Sequence, residues 1–440
     1  MPESPAACPH HEVAIVGGGP AGLPLAVTLS GLLPHYRRVP AFEATYPQLA
    51  SRLAALPNSL AELDFADLVR QGVSPVEFFR LLHHWTPEFE SLAMMPLEFR
   101  PGPSADVVLF SREPVGGVWN NVPENLLTLS PAHWMEFAFH PIAQWAAETG
   151  RALDPNALII KRDIVDYYRG IPARFGIGGC LREGCNVTRI APDPRGFLLE
   201  GVTVAEGTPF ACTARFVVYA VGQRCVLRKL GVPGEDLPYV TQRYDRPEDF
   251  PGQRVLVVGG GRSADWAATE LHDAGREVTY VMKQAASNHW RLINDSRERL
   301  PYYARIAAIL EERSPRLRAL YETRVVRFEP GGGVLLCGPA GEQRLQVNHA
   351  VLEIGGRVDY RPLAEFPQLR FVDKHDRYRF QCRQMLTRPE NCEAADVPGL
   401  YAGGYLAQGI NNVVVAMHGA TYVITGDILQ RLGRLPKRRL

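Results

Sequence analysis

Short apolar runs closed by glycine alternate along this chain with longer stretches of helical period. The run Val13-Ala14-Ile15-Val16 reads as a buried strand, and Gly17-Gly18-Gly19-Pro20-Ala21-Gly22 follows it as a turn. The next segment, LPLAVTLSGLL, carries the apolar spacing of a helix. The same succession returns at RVLVV (254–258), Gly259-Gly260-Gly261-Arg262-Ser263-Ala264 and DWAATELHDAG, a helical pattern stopped by Gly275. EVTYVM (277–282), DVVLF (106–110), ARFVVYAVG (214–222) and HAVLEIGG (349–356) read as further strands rich in β-branched residues. PVEFFRLLHHW (75–85) has helical period, and a helix is expected after Ser130-Pro131 with Ser130 as its cap. Toward the C terminus, Gly399-Leu400-Tyr401-Ala402-Gly403-Gly404 predicts a strand and glycine turn, then a long apolar helix from near Asn411 carrying His418. Strands alternating with helices predict an α/β fold with parallel sheets.

Length turns this pattern into more than one unit, because 440 residues exceed the ~100–200 of an ordinary domain. Lysine and arginine number 48 against 47 acidic residues, so no basic face for nucleic acid is expected. The segment Met1–His11, with Pro2, Glu3 and Pro5, lacks the character of a signal peptide. No stretch approaches the ~18 uncharged apolar residues of a membrane span, and a cytoplasmic protein is expected. Eight cysteines are scattered without a CxxC pair, which removes a thioredoxin-reductase type of dithiol. Cys180 and Cys185 read as ordinary thiols, and the adjacent His83 and His84 project to different helix faces, so no metal is assigned.

The two glycine motifs carry the chemistry. Gly17 permits a tight turn, Gly19 lets backbone approach a pyrophosphate, and Gly22 allows the helix to pack against the strand. With Pro20 and Ala21 they form one dinucleotide site, whose helix start offers N–H groups to phosphate. Gly259, Gly261, Arg262 and Ser263 form the second. The strand after the second motif ends at Lys283 where NAD-binding folds place an acid, which points to the 2′-phosphate of NADPH. For the first motif, the second strand is either RRVPAF ending at Glu43 or the late run 106–110, which SREPV and then Gly116-Gly117-Val118-Trp119 follow. The late strand is favoured because a GG-x-W turn there is similar to the flavin-side turn of two-dinucleotide enzymes. About 70 residues between helix and strand then form a mainly helical insertion. The expected division is an FAD-binding domain of residues 1–35, 105–240 and 358–440, an insertion of 36–104 and an NADPH-binding domain of 241–357. Glu43, Ser111 and Glu113 stay open as the FAD ribose contact. Gly117, Trp119 and Gly404 are expected against the flavin.

The segments GGGPAGLPLAVTLSGLLP, PVEFFRLLHHW, PVGGVWNN, NLLTLSPAHWMEF, VLVVGGGRSADWA and INNVVVAMHGA, in this order, resemble the oxidative stress-induced growth inhibitor family, a branch of the flavin monooxygenase-like superfamily. The chain is more distantly similar to flavin-dependent amine N-hydroxylases. The resemblance implies FAD and NADPH in two Rossmann-like domains and oxygenation of a small nucleophile by way of a flavin C4a-hydroperoxide, N-hydroxylation being favoured. Molecular oxygen and a small molecule are the implied partners, with a homodimer as a further expectation. The Baeyer–Villiger fingerprint is missing, since Tyr219-Ala220-Val221-Gly222-Gln223 stands in its place. The asparagine that many flavin monooxygenases carry near the flavin is also missing, with Leu129 and Ser130 there. Trp119, Asn120, His133 and Asn294 are the candidates for roles beside the reacting groups. The other expected outcomes are a reductase serving a quinone or other acceptor and a nucleotide-binding scaffold.

Overall fold

The computed structural model describes residues 8–56, 58–86, 94–375, 381–411 and 414–440. The first sheet is built on His10–Val16, whose Val13, Ala14 and Ile15 are wholly buried. It pairs in parallel with Val107–Ser111 on one side and with Pro209–Tyr219 on the other. The late strand is therefore the neighbour of the first, while RRVPAF folds differently: Pro40–Thr45 is a helix, begun by a proline at its first position. Pro209–Tyr219 serves two partners. Its first half pairs antiparallel with Gly196–Thr203, and its last residues pair in parallel with Leu400–Ala402.

The second sheet is wholly parallel, in the order Val240–Thr241, His349–Glu353, Arg254–Gly259, Glu277–Val281, Leu317–Leu320. Its central strands are continuous apolar runs because both faces are covered: Val255, Val257 and Tyr280 pack against helices, while Leu256, Val258 and Val281 pack against Phe328, Val334 and Leu336 on the other side. Beside it lies a three-stranded antiparallel meander, Arg324–Glu329, Gly333–Gly338 and Gly341–Gln346, which the periodicity did not announce. Where the chain passes between the two units, Val226–Leu227 pairs antiparallel with Gly356–Arg357.

The inserted segment opens and closes as a two-stranded ribbon, Leu32–Tyr36 against Leu97–Pro101. Its ordered hairpin thus begins a few residues before 36. Among its described residues four α-helices follow, Pro40–Thr45, Pro47–Ala54, Phe65–Arg70 and Pro75–His83. Asp64 and Ser74 cap the last two through their side chains. Phe42, Phe65, Phe79 and Leu82 form a core shared with Tyr422 and Val423 of the C-terminal helix. Gly419 makes that contact feasible, since a Cβ there would lie 2.2 Å from the Val76 carbonyl oxygen.

Two local expectations are corrected. After Pro131 only a single 3₁₀ turn forms, Ala132–Trp134, and Ser130 does not cap it. The C-terminal helix is a π-helical turn, Val415–Gly419, continued as Ala420–Arg431; Asn412 and Val413, at its expected start, lie outside the described residues. Among the described residues no helix is long and apolar enough to cross a membrane. Among the described residues the cysteines form no disulfide, and no cluster of three or more acidic, His or Cys side chains is arranged for a metal.

Candidate functional site

Four segments converge at the carboxyl ends of the first sheet's parallel strands, the place where open α/β sheets bind ligands. Gly17 donates its N–H to the Phe110 carbonyl at 2.8 Å and adopts a φ of 119°, and a Cβ on it would stand 2.4 Å from the Ala220 oxygen. A Cβ on Gly22 would be 1.9 Å from the Gly17 oxygen, so helix and turn are in backbone contact. The GG-x-W turn docks onto the same motif: Gly116 donates to the Gly18 carbonyl at 3.0 Å, and a Cβ on Gly117 would lie 2.8 Å from the Gly19 Cα and 3.3 Å from the Pro20 ring. Gly404, with φ of 61°, presses against Ala21, where a Cβ would come within 2.6 Å of the alanine methyl. The sequence-expected Gly17, Gly19, Pro20, Ala21, Gly22, Gly117 and Gly404 thus meet in one place. The helix Gly22–Leu29 starts there with no side-chain cap, leaving its positive end for an anion. A cradle that no Cβ can enter, facing a helix start, fits the pyrophosphate of FAD.

The ribose candidates separate. Glu43 belongs to the insertion, where Arg38 Nε donates to it at 2.6 Å and Tyr36 at 3.4 Å. Ser111 is buried, donates to the Glu113 carbonyl at 2.6 Å and lies under Gly18, whose Cβ would be 2.6 Å from its Oγ. The Glu113 carboxylate accepts from Asn121 Nδ2 at 2.5 Å and from Arg112 at 3.3 Å. Only the latter two stand at the strand end next to the glycine turn.

Trp119 is buried within the 3₁₀ turn Gly117–Asn121. The Asn120 amide is engaged at both ends, donating to the Pro114 carbonyl at 2.7 Å and accepting from Arg169 at 3.0 Å. His133 is half-buried with Nδ1 2.9 Å from the Pro155 carbonyl, and burial lowers its pKa. Its ring stacks toward His84 at 5.8 Å. Asn294 ends the helix Ala286–Asn294, exposed, with no hydrogen bond to the GG-x-W turn among the described residues. The four do not form one constellation.

The second glycine turn repeats the logic of the first. A Cβ on Gly259 would lie 2.5 Å from the Glu353 carbonyl oxygen and 2.6 Å from the Ala264 methyl. Gly261 starts the twelve-residue helix Arg262–Asp273 without a side-chain cap. Gln284 Nε2 donates to the Gly260 carbonyl at 2.8 Å, binding the turn to the loop that holds Lys283. Arg262 lies 5.4 Å above the Tyr303 ring, beside Ser263 at the helix start. Lys283 is exposed directly after Glu277–Val281, beside Gln284. This donor set fits NADPH, with an ammonium group available for a 2′-phosphate. Lys283→Ala is therefore expected to raise the KM for NADPH by ~10–100-fold, the size of one lost charge-assisted hydrogen bond. NADH kinetics should be unchanged; an equal loss with both nucleotides would remove Lys283 from the phosphate site.

Two groupings escaped the sequence reading. His83 and His84 do meet: their Nδ1 atoms are hydrogen-bonded, and His83 stacks on His418 with ring centres 3.8 Å apart. His84 is the residue just past its helix, with φ of −130° and ψ of 69°, so helical face geometry does not govern it. Glu136, also buried, places Oε1 3.8 Å from His83 Nε2. The other grouping is a polar seam between the two nucleotide units that includes Asn121 and Arg243. Nothing in local sequence marks either, because each is assembled from distant segments.

The sequence profile of the pyridine nucleotide-disulphide oxidoreductase family matches residues 96–404. Oxidative stress-induced growth inhibitor 1 of Mus musculus is 24% identical over 476 aligned residues, covering 96% of each chain. Among solved structures, the bacillithiol disulfide reductase of Bacillus cereus is similar with TM-score 0.65 at 14% identity, over 96% of this chain and 99% of that one. The ornithine N-hydroxylase of Kutzneria sp. 744 is similar with TM-score 0.61 at 16% identity, over 96% and 100%.

Proposed function

We propose, from the premise that this chain belongs to the pyridine nucleotide-disulphide oxidoreductase family and is an FAD- and NADPH-dependent oxidoreductase, that it is a monooxygenase. The proposed substrate is a small nucleophile, a nitrogen before a sulfur, and the overall reaction takes NADPH, a proton, oxygen and substrate to NADP⁺, water and the oxygenated product. One observation carries the reading against the disulfide reductases of the same family: the sequence lacks the closely spaced CxxC cysteine pair of a redox dithiol. Burial raises the pKa of Cys180, Cys185, Cys212, Cys225 and Cys392, so these thiols stay protonated and poorly nucleophilic. The likeness to an ornithine N-hydroxylase and the resemblance to amine hydroxylases support nitrogen as the acceptor.

FAD supplies the electron transfer and oxygen activation when bound. The chain's own contribution is placement. Gly17, Gly19, Gly22 and Gly117 hold backbone close to the pyrophosphate, Gly259 and Gly261 do so for NADPH, and Lys283 selects the phosphorylated nucleotide. Trp119, buried within the turn Gly117–Asn121, anchors that turn in the core. A second reading, a reductase serving a quinone or similar acceptor, draws on Asn120: its amide is held by Pro114 and Arg169 and gives little support to an oxygen-derived group.

The test is stoichiometry. With NADPH and oxygen, a panel of primary amines and sulfides is expected to include one giving an equivalent of oxygenated product per NADPH oxidised. Hydrogen peroxide as the sole product across the panel, together with rapid quinone reduction under nitrogen, would replace the monooxygenase reading by the reductase one.

A further inference from the structure

We infer that Arg243, Asn121 and Glu113 form a clamp that fixes the two nucleotide-binding units in the orientation hydride transfer requires. The Arg243 guanidinium, on the segment leading into the NADPH unit, donates to Asn121 Oδ1 on the flavin side. Asn121 Nδ2 donates to Glu113 Oε2 at 2.5 Å, and the Glu113 carbonyl accepts the Ser111 hydroxyl at 2.6 Å. Ser111 in turn supports Gly18 of the first glycine turn. In the other direction, the amide of Tyr244, next in the chain to Arg243, donates to Glu353 Oε1 at 2.8 Å. The carbonyl of Glu353 is the atom against which Gly259 of the second turn packs.

A continuous path of hydrogen bonds and close contacts therefore joins the two glycine turns, and it crosses between the units at Arg243–Asn121. The Glu124 amide to the Asp245 carbonyl at 3.1 Å and Asn125 to Glu270 at 3.2 Å extend the same seam. The residues of the clamp are placed where rigidity has consequences. Asn121 ends the GG-x-W turn, and Arg243 follows the strand Val240–Thr241 at the edge of the NADPH sheet. Hydride transfer needs donor and acceptor carbons in near contact, and a misplacement of about 1 Å can lower the rate ~100-fold. Glu353 adds a second hold through the Tyr244 amide: burial pushes its carboxyl up to about 7, and that hydrogen bond, ahead of the Arg243 charge, draws it back down.

The inference rests on the FAD and NADPH assignment, and the test separates the two. Purified holoenzyme is reduced by NADPH in anaerobic stopped flow, and the limiting rate of flavin bleaching is compared with NADP⁺ affinity and FAD content. Arg243→Ala and Asn121→Ala are each expected to slow the limiting rate ~10-fold or more, with FAD content and NADP⁺ affinity preserved. The double variant should be no slower than the slower single, because both remove the same link. Arg243→Lys, which keeps a donor and a charge, should recover part of the rate. Unchanged limiting rates in variants of a normally bleaching enzyme, additive losses, or a defect confined to nucleotide affinity would overturn the clamp. A wild-type flavin that NADPH never bleaches would instead overturn the cofactor assignment, and the clamp with it.

Discussion

Gly117→Ala is expected to give a folded protein that no longer retains FAD. Two penalties combine at this residue. Its φ of 60° lies in the left-handed region, where a residue with a Cβ is disfavoured by roughly 1 kcal/mol. The added methyl would also stand 2.8 Å from the Gly19 Cα, a backbone atom of the other turn that no rotamer change can move. Relieving that overlap means separating the GG-x-W turn from the first glycine motif, at about 1–3 kcal/mol of strain. The space lost is the space the pyrophosphate approach requires, so binding suffers more than folding. Gly150→Ala is the control: its φ of 68° is similar, but nothing lies within 4 Å of the added Cβ. That variant should lose about 1 kcal/mol of stability and keep its flavin. The ratio of flavin to protein absorbance in the two variants reads the result. Stoichiometric flavin in Gly117→Ala would show that the two turns move apart without consequence and would remove this contact from the FAD site.

This prediction was reachable only in part from sequence. The strand, glycine turn and helix at 13–33 and 254–275 are local signals, since each glycine's role follows from its distance along the chain from a strand end. The second strand of the first nucleotide fold is legible for a similar reason: Val107–Ser111 is a buried run, whereas RRVPAF carries two arginines and a proline that starts the helix Pro40–Thr45 of the insertion. What sequence does not show is which polar side chain beside the GG-x-W turn reaches the other unit. Asn120 and Asn121 are adjacent and chemically identical; the first is absorbed by Pro114 and Arg169, the second reaches across to Arg243. That choice is made by residues 49 and 122 positions away. The histidine pair failed for a different reason. Helical spacing carried through His84 puts the two rings on different faces, but the helix ends at His83, and the turn swings His84 back against its neighbour.

The histidine group leads to the second large effect, a stability maximum near pH 6.5. Burial lowers the pKa of His84 and of His418 to about 3 and holds His83 well below its usual 6.5, and neighbouring histidines lower each further. A group whose pKa is depressed on folding contributes stability above its unfolded value and loses it as pH falls toward the folded one. Below pH 6.5 each histidine would therefore withdraw up to ~1.4 kcal/mol per pH unit, although mutual coupling keeps all three from charging together. Glu136 has the opposite sign. Burial raises its carboxyl to about 8, so its contribution is intact below the unfolded 4.5 and declines as pH rises to 8. Between 4.5 and 6.5 the histidine slopes oppose those of the buried carboxyls Glu136, Glu353 and Glu270, all raised by burial; above 6.5 only the carboxyls act, Glu353 up to about 7 and Glu136 up to about 8, and stability should fall. Urea midpoints measured from pH 4 to 9 test both limbs. Glu136→Gln is expected to flatten the decline between 7 and 8, above the Glu353 range, and leave the acid limb in place. His84→Gln should make the acid limb shallower and leave the alkaline one in place. The two side chains answer in different pH windows although they share one cluster, in which His83 touches both. If Glu136→Gln declines from 7 to 8 as steeply as wild type, the carboxyl is ionised in the native state, and the packed histidines are then facing a charge that the burial argument forbids.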